Sequence, residues 1–251
     1  AAIITKSFLL EIVVFPSNIH DSTVGRQYNY RNKVEFSWYG REENGEEQLD
    51  LAFFRRGSKG KIPVDGTSLA NEPINQLARA IRDVLREKKV TARELKTLLI
   101  RSDRHGNCVW QLYVKDRPFD ALTEQDFFHL NAQGGEIIYS DPRSPASRIT
   151  KRLAEFGNPV LEDTILNTPF RYATEGFFQI NLPVYELALN DMKQWVDSPS
   201  LSSIPLRSPQ QRGDTKQQME PSGVEKRVYG ESTTHIVDLY SGVGTIGLTI
   251  G

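Results

Sequence analysis

The sequence predicts an α+β domain over residues 1–173, followed from residue 174 to 251 by the opening of an α/β domain. Two observations lead there. Strand-like and helix-like stretches mix in the first part without a strand–helix–strand rhythm. At the far end, an apolar strand pattern changes period at Ser241-Gly242-Val243-Gly244, where a helix pattern starts. Between the two parts, residues 197–233 are rich in Ser, Pro, Gln and charge. They are expected to be a disordered insertion, because so few apolar residues cannot offset the entropy of ordering.

Taken in order, Phe8 to Phe15 is apolar and β-branched, Lys33 to Trp38 alternates with period two, and Leu49 to Phe54 follows a polar turn at Asn44-Gly45. These read as an antiparallel sheet. Asn71 offers a helix N-cap and Pro73 sits in the first turn. Ile74, Leu77, Ala78, Ile81, Val84 and Leu85 then recur at helical spacing up to Lys88. Leu95 to Arg101 and Cys108 to Val114 are strands joined by a hairpin loop at residues 102–107, and Gly135 to Tyr139 is a further strand. A helix opening at Pro183 places Val184, Leu187, Ala188, Met192 and Trp195 on one face. The final segment, His235 to Tyr240, reads as a buried strand.

With 251 residues, 38% hydrophobic and 25% charged, the composition is that of a soluble globular protein. No apolar run reaches the roughly 18 residues of a membrane span, and the first residues lack the flanks of a signal peptide, so a cytoplasmic location is expected. Cys108 is the only cysteine, which excludes an internal disulfide framework and a four-thiolate metal or iron-sulfur site built from this chain alone. The net charge of -1 gives no global argument for nucleic acid, although local basic patches remain able to bind it.

The glycine-rich turn brings backbone close to a ligand, and the helix start after it presents free N–H groups, so it suits a nucleoside or a phosphate. The Gly-Lys-Ser/Thr of a P-loop is absent. Gly242, Gly244 and Gly247 fit the bare dinucleotide spacing, while Asp238 at the strand end favours the pattern of S-adenosylmethionine (SAM) methyltransferases.

Phe177-Phe178-Gln179-Ile180-Asn181 followed by Asp238-Leu239-Tyr240-Ser241-Gly242-Val243-Gly244 closely resembles the paired motifs of the SAM-dependent RNA uridine C5-methyltransferases that modify tRNA and ribosomal RNA. Tyr30-Arg31-Asn32-Lys33-Val34-Glu35-Phe36-Ser37 and Leu51-Ala52-Phe53-Phe54-Arg55-Arg56 resemble the segments that open the family's central RNA-recognition domain. The resemblance implies a central α+β RNA-recognition domain at 1–173 and the start of a Rossmann-like SAM domain at 174–251. Gln179 and Tyr240 inherit cofactor contacts, and Asp238, Gly242, Gly244 and Thr245 shape the rest of that part of the pocket.

In that family's reaction a cysteine thiolate adds to C6 of uracil, the resulting enolate takes the SAM methyl at C5, and a base removes the C5 proton. The resemblance puts both nucleophile and base beyond residue 251, so no catalytic residue is expected in this chain. It should be part of an enzyme, inactive alone, with Cys108 a structural thiol. Ser241 stands where the family often has Cys, at a position that is not the nucleophile. No metal site is expected. For RNA, the candidate contacts are Arg31 and Lys33, the basic run Arg55, Arg56, Lys59 and Lys61, and Phe177 and Phe178 as supports for an extruded base. A non-catalytic RNA-binding protein on the same scaffold and, more weakly, a nicotinamide-dependent oxidoreductase stay open.

Overall fold

The computed structural model describes residues 28–196 and Leu248. The predicted strands at 8–15 and 235–240, the insertion at 197–233 and the glycine turn at 241–244 lie outside the described residues.

Seven strands form one sheet in the order β3-β2-β1-β4-β5-β6-β7. Strands β1 (Lys33–Glu43) and β2 (Glu46–Phe54) are joined by Asn44-Gly45, whose positive φ angles of 55° and 83° are those of a tight hairpin turn. The edge strand β3 (Lys61–Val64) pairs with β2 and carries Pro63, which blunts further pairing. On the other side β1 pairs antiparallel with β4 (Leu95–Ser102), and β4 with β5 (Cys108–Val114).

Strand β6 (Gly134–Tyr139) then pairs parallel with β5, and β7 (Lys151–Gly157) closes the sheet antiparallel. One strand–helix–strand unit thus stands among otherwise antiparallel pairs, in a sheet without a repeating strand–helix–strand rhythm. Helix α2 (Glu124–His129) lies in the β5–β6 connection, started by a capping box in which Thr123 Oγ1 accepts from Asp126 N and the Asp126 carboxylate accepts from Thr123 N at 2.9 Å.

Helix α1 (Glu72–Glu87) covers one face of the sheet with Ile74, Leu77, Ala78, Ile81 and Leu85, packed on Phe36, Trp38, Leu98, Ile100, Trp110 and Leu112. Asn71 is the N-cap residue but its side chain caps nothing; its amide donates instead to Ser102 Oγ at the end of β4.

A separate hairpin, β8 (Val160–Ile165) and β9 (Thr168–Ala173), packs with helix α3 (Leu182–Val196) in a second core, in which Leu161, Ile165, Phe170 and Tyr172 meet Phe178, Leu182, Leu189 and Val109 of β5. The predicted face of α3 is corrected in part: Met192 packs on the second core as expected, but Val184 and Leu187 are exposed, and the helix buries Leu182 and Leu189 with Tyr185 and Met192 alongside. These four follow the 3- and 4-residue spacing of a helical stripe.

Candidate nucleic-acid and cofactor site

Two motifs far apart in sequence meet at the start of β1. The Asn32 amide donates from Nδ2 to the Gln179 carbonyl at 2.9 Å across a sequence separation of 147, and Asn32 N donates to the Ile180 carbonyl at 3.2 Å. From the other side Ser102 N donates to the Asn32 carbonyl at 2.9 Å, so Asn32, 7% exposed, ties β4 to the 179–180 segment. It was absent from the candidate residues, although it lies inside the Tyr30 to Ser37 motif. Gln179 is held by its backbone. Its side-chain amide forms no hydrogen bond to the described residues, which leaves donor and acceptor for a ligand.

The two phenylalanines before Gln179 part company. Phe177 is 71% exposed, whereas Phe178 is 3% exposed and stacks on Tyr172 with ring centroids 4.0 Å apart. The Phe178 ring thus fills the second core, whereas the Phe177 ring faces solvent. Tyr172 donates to buried Asp163 Oδ2 at 2.6 Å, and burial pushes its hydroxyl pKa up. The Arg101 guanidinium lies 5.3 Å from the same ring centroid. Arg101 is 1% exposed, its Nε and Nη1 have no partner among the described residues, and burial pushes its pKa down. Arg104 then reaches Asp163 at 3.3 Å and Glu186 at 3.0 Å, fastening α3 to the hairpin.

The basic candidates fall into two groups. Arg31 and Lys33 line a cleft of about 470 Å³ together with Glu35, Phe53, Leu69 and Ile180. Lys33 is paired with Glu35 at 3.3 Å, while Arg31 has no ion-pair partner among the described residues and its buried Nε has no hydrogen-bond partner there. Arg55, Arg56 and Lys59 sit exposed in the β2–β3 turn, which Arg55 N closes onto the Gly60 carbonyl at 2.8 Å and in which Gly57 adopts φ +75°. Lys61 differs from them. It donates to the Trp38 carbonyl at 2.8 Å and lies 5.3 Å from the centre of the Phe54 ring; burial and then Lys115 push its pKa down. Lys61 is thus engaged within the chain, while its three neighbours stand exposed. The cofactor candidates Asp238, Tyr240, Gly242, Gly244 and Thr245 lie outside the described residues.

Cys108 is 2% exposed, and burial with the nearby Asp103 carboxylate pushes its thiol up to about 12. Such a thiol is inert. Native protein at pH 8 should leave Cys108 unmodified by a thiol-specific disulfide reagent over hours, with full reaction in denaturant; rapid native reaction would show that the β4–β5 loop opens. Among the described residues no group of three or more His, Cys, Asp or Glu side chains is disposed to hold a metal ion, and no helix is long and apolar enough to cross a membrane.

With this geometry in place, comparison with known proteins gives the class. No protein-family model matches the chain. It is 25% identical over 232 residues to an uncharacterized RNA methyltransferase of Lactobacillus johnsonii, covering 88% of this chain and 44% of that protein. It is also 22% identical over 241 residues to one of Fusobacterium nucleatum, covering 89% and 43%, and 25% identical over 239 residues to one of Clostridium tetani, covering 88% and 44%. The chain is thus homologous to RNA methyltransferases and spans less than half the length of these curated relatives. More particularly, its fold resembles the crystal structure of Pyrococcus abyssi tRNA (uracil-54, C5)-methyltransferase in complex with S-adenosyl-L-homocysteine. The TM-score is 0.55 at 10% identity, over 70% of this chain and 43% of that one. That likeness concerns the fold: a β-rich mixed sheet with few helices.

Proposed function

We propose that the full-length protein methylates C5 of a uridine in structured RNA, tRNA or ribosomal RNA, with SAM as methyl donor, and works in the cytoplasm. Residues 1–173 would be the RNA-recognition part and residues 174–251 the opening of the Rossmann-like SAM domain. The observation that carries this reading is the Asn32 junction, where the Tyr30 to Ser37 and Phe177 to Asn181 motifs join beside a cation-lined cleft.

SAM supplies an electrophilic methyl group. In this chain the fixed backbone at 179–180 holds Gln179, whose side-chain amide, unbonded among the described residues, suits the methionine end, and Tyr240 with Asp238, Gly242, Gly244 and Thr245 would complete this side of the pocket. Arg31, Arg55, Arg56 and Lys59 meet phosphates, with Lys33 and Lys61 as secondary partners, and exposed Phe177 supports the extruded base. The nucleophilic Cys and the acidic base are supplied from beyond residue 251.

In the full-length protein, Gln179→Ala is expected to weaken SAM binding about ten-fold, roughly 1.4 kcal/mol, with RNA affinity unchanged, as read by calorimetry. RNA carrying 5-fluorouridine at the target should form a covalent adduct. An active protein that forms no adduct, or one that binds a nicotinamide dinucleotide in place of SAM, would refute the reading.

A further inference from the structure

The cleft at the start of β1 has a construction that phosphate contact alone does not explain. We propose that it is a subsite for one unpaired nucleotide of the RNA, separate from the site of the target uridine, with the nucleotide's phosphate on Arg31 and its base against Phe53, Leu69 and Ile180. The proposal rests on the RNA reading above and adds to it a defined place and ligand.

Its walls are preformed. On one side, Asn29 N donates to the Ser68 carbonyl and Arg31 N to the Leu69 carbonyl, each at 2.8 Å, while Asn71 N returns a bond to the Arg31 carbonyl at 3.1 Å. The loop carrying Leu69 is pinned to α1 by Asn75, which accepts from Thr67 N at 3.0 Å and donates to the Thr67 carbonyl at 3.1 Å. On the other side Ile180 is fixed by the Asn32 bond. The floor lies where the paired register of β1 with β2, which begins at Ser37↔Ala52, gives way to pairing of β1 with β4; there Phe53, half-buried and stacked on Phe36 at 5.2 Å, and the edge of buried Val34 line the cleft. A pocket with little to reorder on binding loses little affinity to ordering.

The lining matches a nucleotide better than a bare anion. The volume of about 470 Å³ lies within the range of small-ligand pockets, roughly 300–1,000 Å³. Phe53, Leu69 and Ile180 give apolar surface for a base, and Leu69 is 37% exposed. Arg31 brings a cation whose buried Nε has no partner among the described residues, and the Glu35 carboxylate offers an acceptor for a base amino group or a 2′-hydroxyl. RNA without regular pairing is read by such splayed bases, with the phosphates supplying the salt-dependent part of affinity.

The test uses the full-length protein with a single-stranded RNA oligonucleotide, measuring RNA affinity against salt and, separately, SAM affinity. Arg31→Gln should weaken RNA binding about ten-fold and reduce the slope of log affinity against log salt by about 0.7, the share of one phosphate on a single strand. Arg31→Lys should restore the slope. Leu69→Trp, which fills the cleft from its mouth, should weaken RNA binding about ten-fold with the slope unchanged, and SAM affinity should stay as in the parent for all three. Unchanged RNA affinity in well-folded Arg31→Gln and Leu69→Trp would overturn the subsite and leave the RNA reading intact. Loss of SAM affinity in place of RNA affinity would assign the cleft to the cofactor and also overturn it. A parent protein with no affinity for RNA would overturn both.

Discussion

Gly135→Ala should unfold much of the population under mild denaturant, with a loss near 3 kcal/mol, at the upper end of what overpacking usually costs. In the parallel register Gly135 faces Trp110, and a Cβ at residue 135 would lie 2.0 Å from Trp110 Cε2 and 2.4 Å from Nε1. The indole has nowhere to go. It is 0% exposed and is stacked on Phe156 at 5.9 Å, which in turn stacks on Phe127 at 5.6 Å. Backbone movement is blocked as well, since next door a Cβ on Gly134 would meet the Asn158 carbonyl carbon at 2.3 Å. Urea unfolding followed by tryptophan fluorescence measures the loss. Because the clash is pairwise, Trp110→Leu combined with Gly135→Ala should be more stable than the sum of the single changes implies, a coupling of about 1–3 kcal/mol. Strict additivity of the two changes, or a Gly135→Ala midpoint equal to the parent's, would show that β6 shifts in register and that the contact is not as tight as drawn.

How much of this was legible in sequence follows from where the local signal was the deciding force. Asn44-Gly45 announces its hairpin because both residues accept positive φ; Leu166-Asn167 makes the equivalent turn, with φ 45° and 68°, from a dipeptide whose leucine gives no such sign, and so β8 and β9 went unseen. Thr123 with Asp126 is a readable capping box, but α2 has only six residues and no buried stripe to raise it above its surroundings. For α3, several apolar positions offered more than one stripe, and the β8–β9 hairpin decided which was buried. The parallel pairing of β5 with β6 is a tertiary choice. Strand β5 is buried at every position, so its run of apolar residues names burial but not direction.

The candidate site divides along the same line. The motifs were readable as strings. That Asn32 joins them, and that the cations split between a cleft and a turn, depends on strand order. Lys33 and Arg101 are opposite each other on β1 and β4, a closeness no spacing in the sequence encodes.

The second large effect separates Phe178 from its neighbour. Phe178→Ala should cost about 3–5 kcal/mol, the usual range for deleting a buried phenylalanine ring, because the ring is 3% exposed and lies between Tyr172 at 4.0 Å and Phe170 at 6.2 Å. The loss should also reach the cofactor, since the next residue is Gln179, and the Asn32 bonds and the start of α3 would then hold the segment without the Phe178 anchor. Phe177→Ala removes a ring that is 71% exposed, so its unfolding midpoint should match the parent's while RNA affinity falls by about 1–3 kcal/mol, the typical worth of one base stacked on an aromatic ring. Denaturant titration, SAM calorimetry and RNA binding on both variants of the full-length protein separate the two roles. The reverse pattern, a stable Phe178→Ala that loses RNA and a Phe177→Ala that unfolds, would place the base platform on Phe178 and require the segment to turn over when RNA binds. Phe178→Leu supplies the finer measure: it keeps apolar bulk under Tyr172 but loses the stacked face, so SAM affinity should remain near the parent's if Phe178 acts only by holding Gln179 in place.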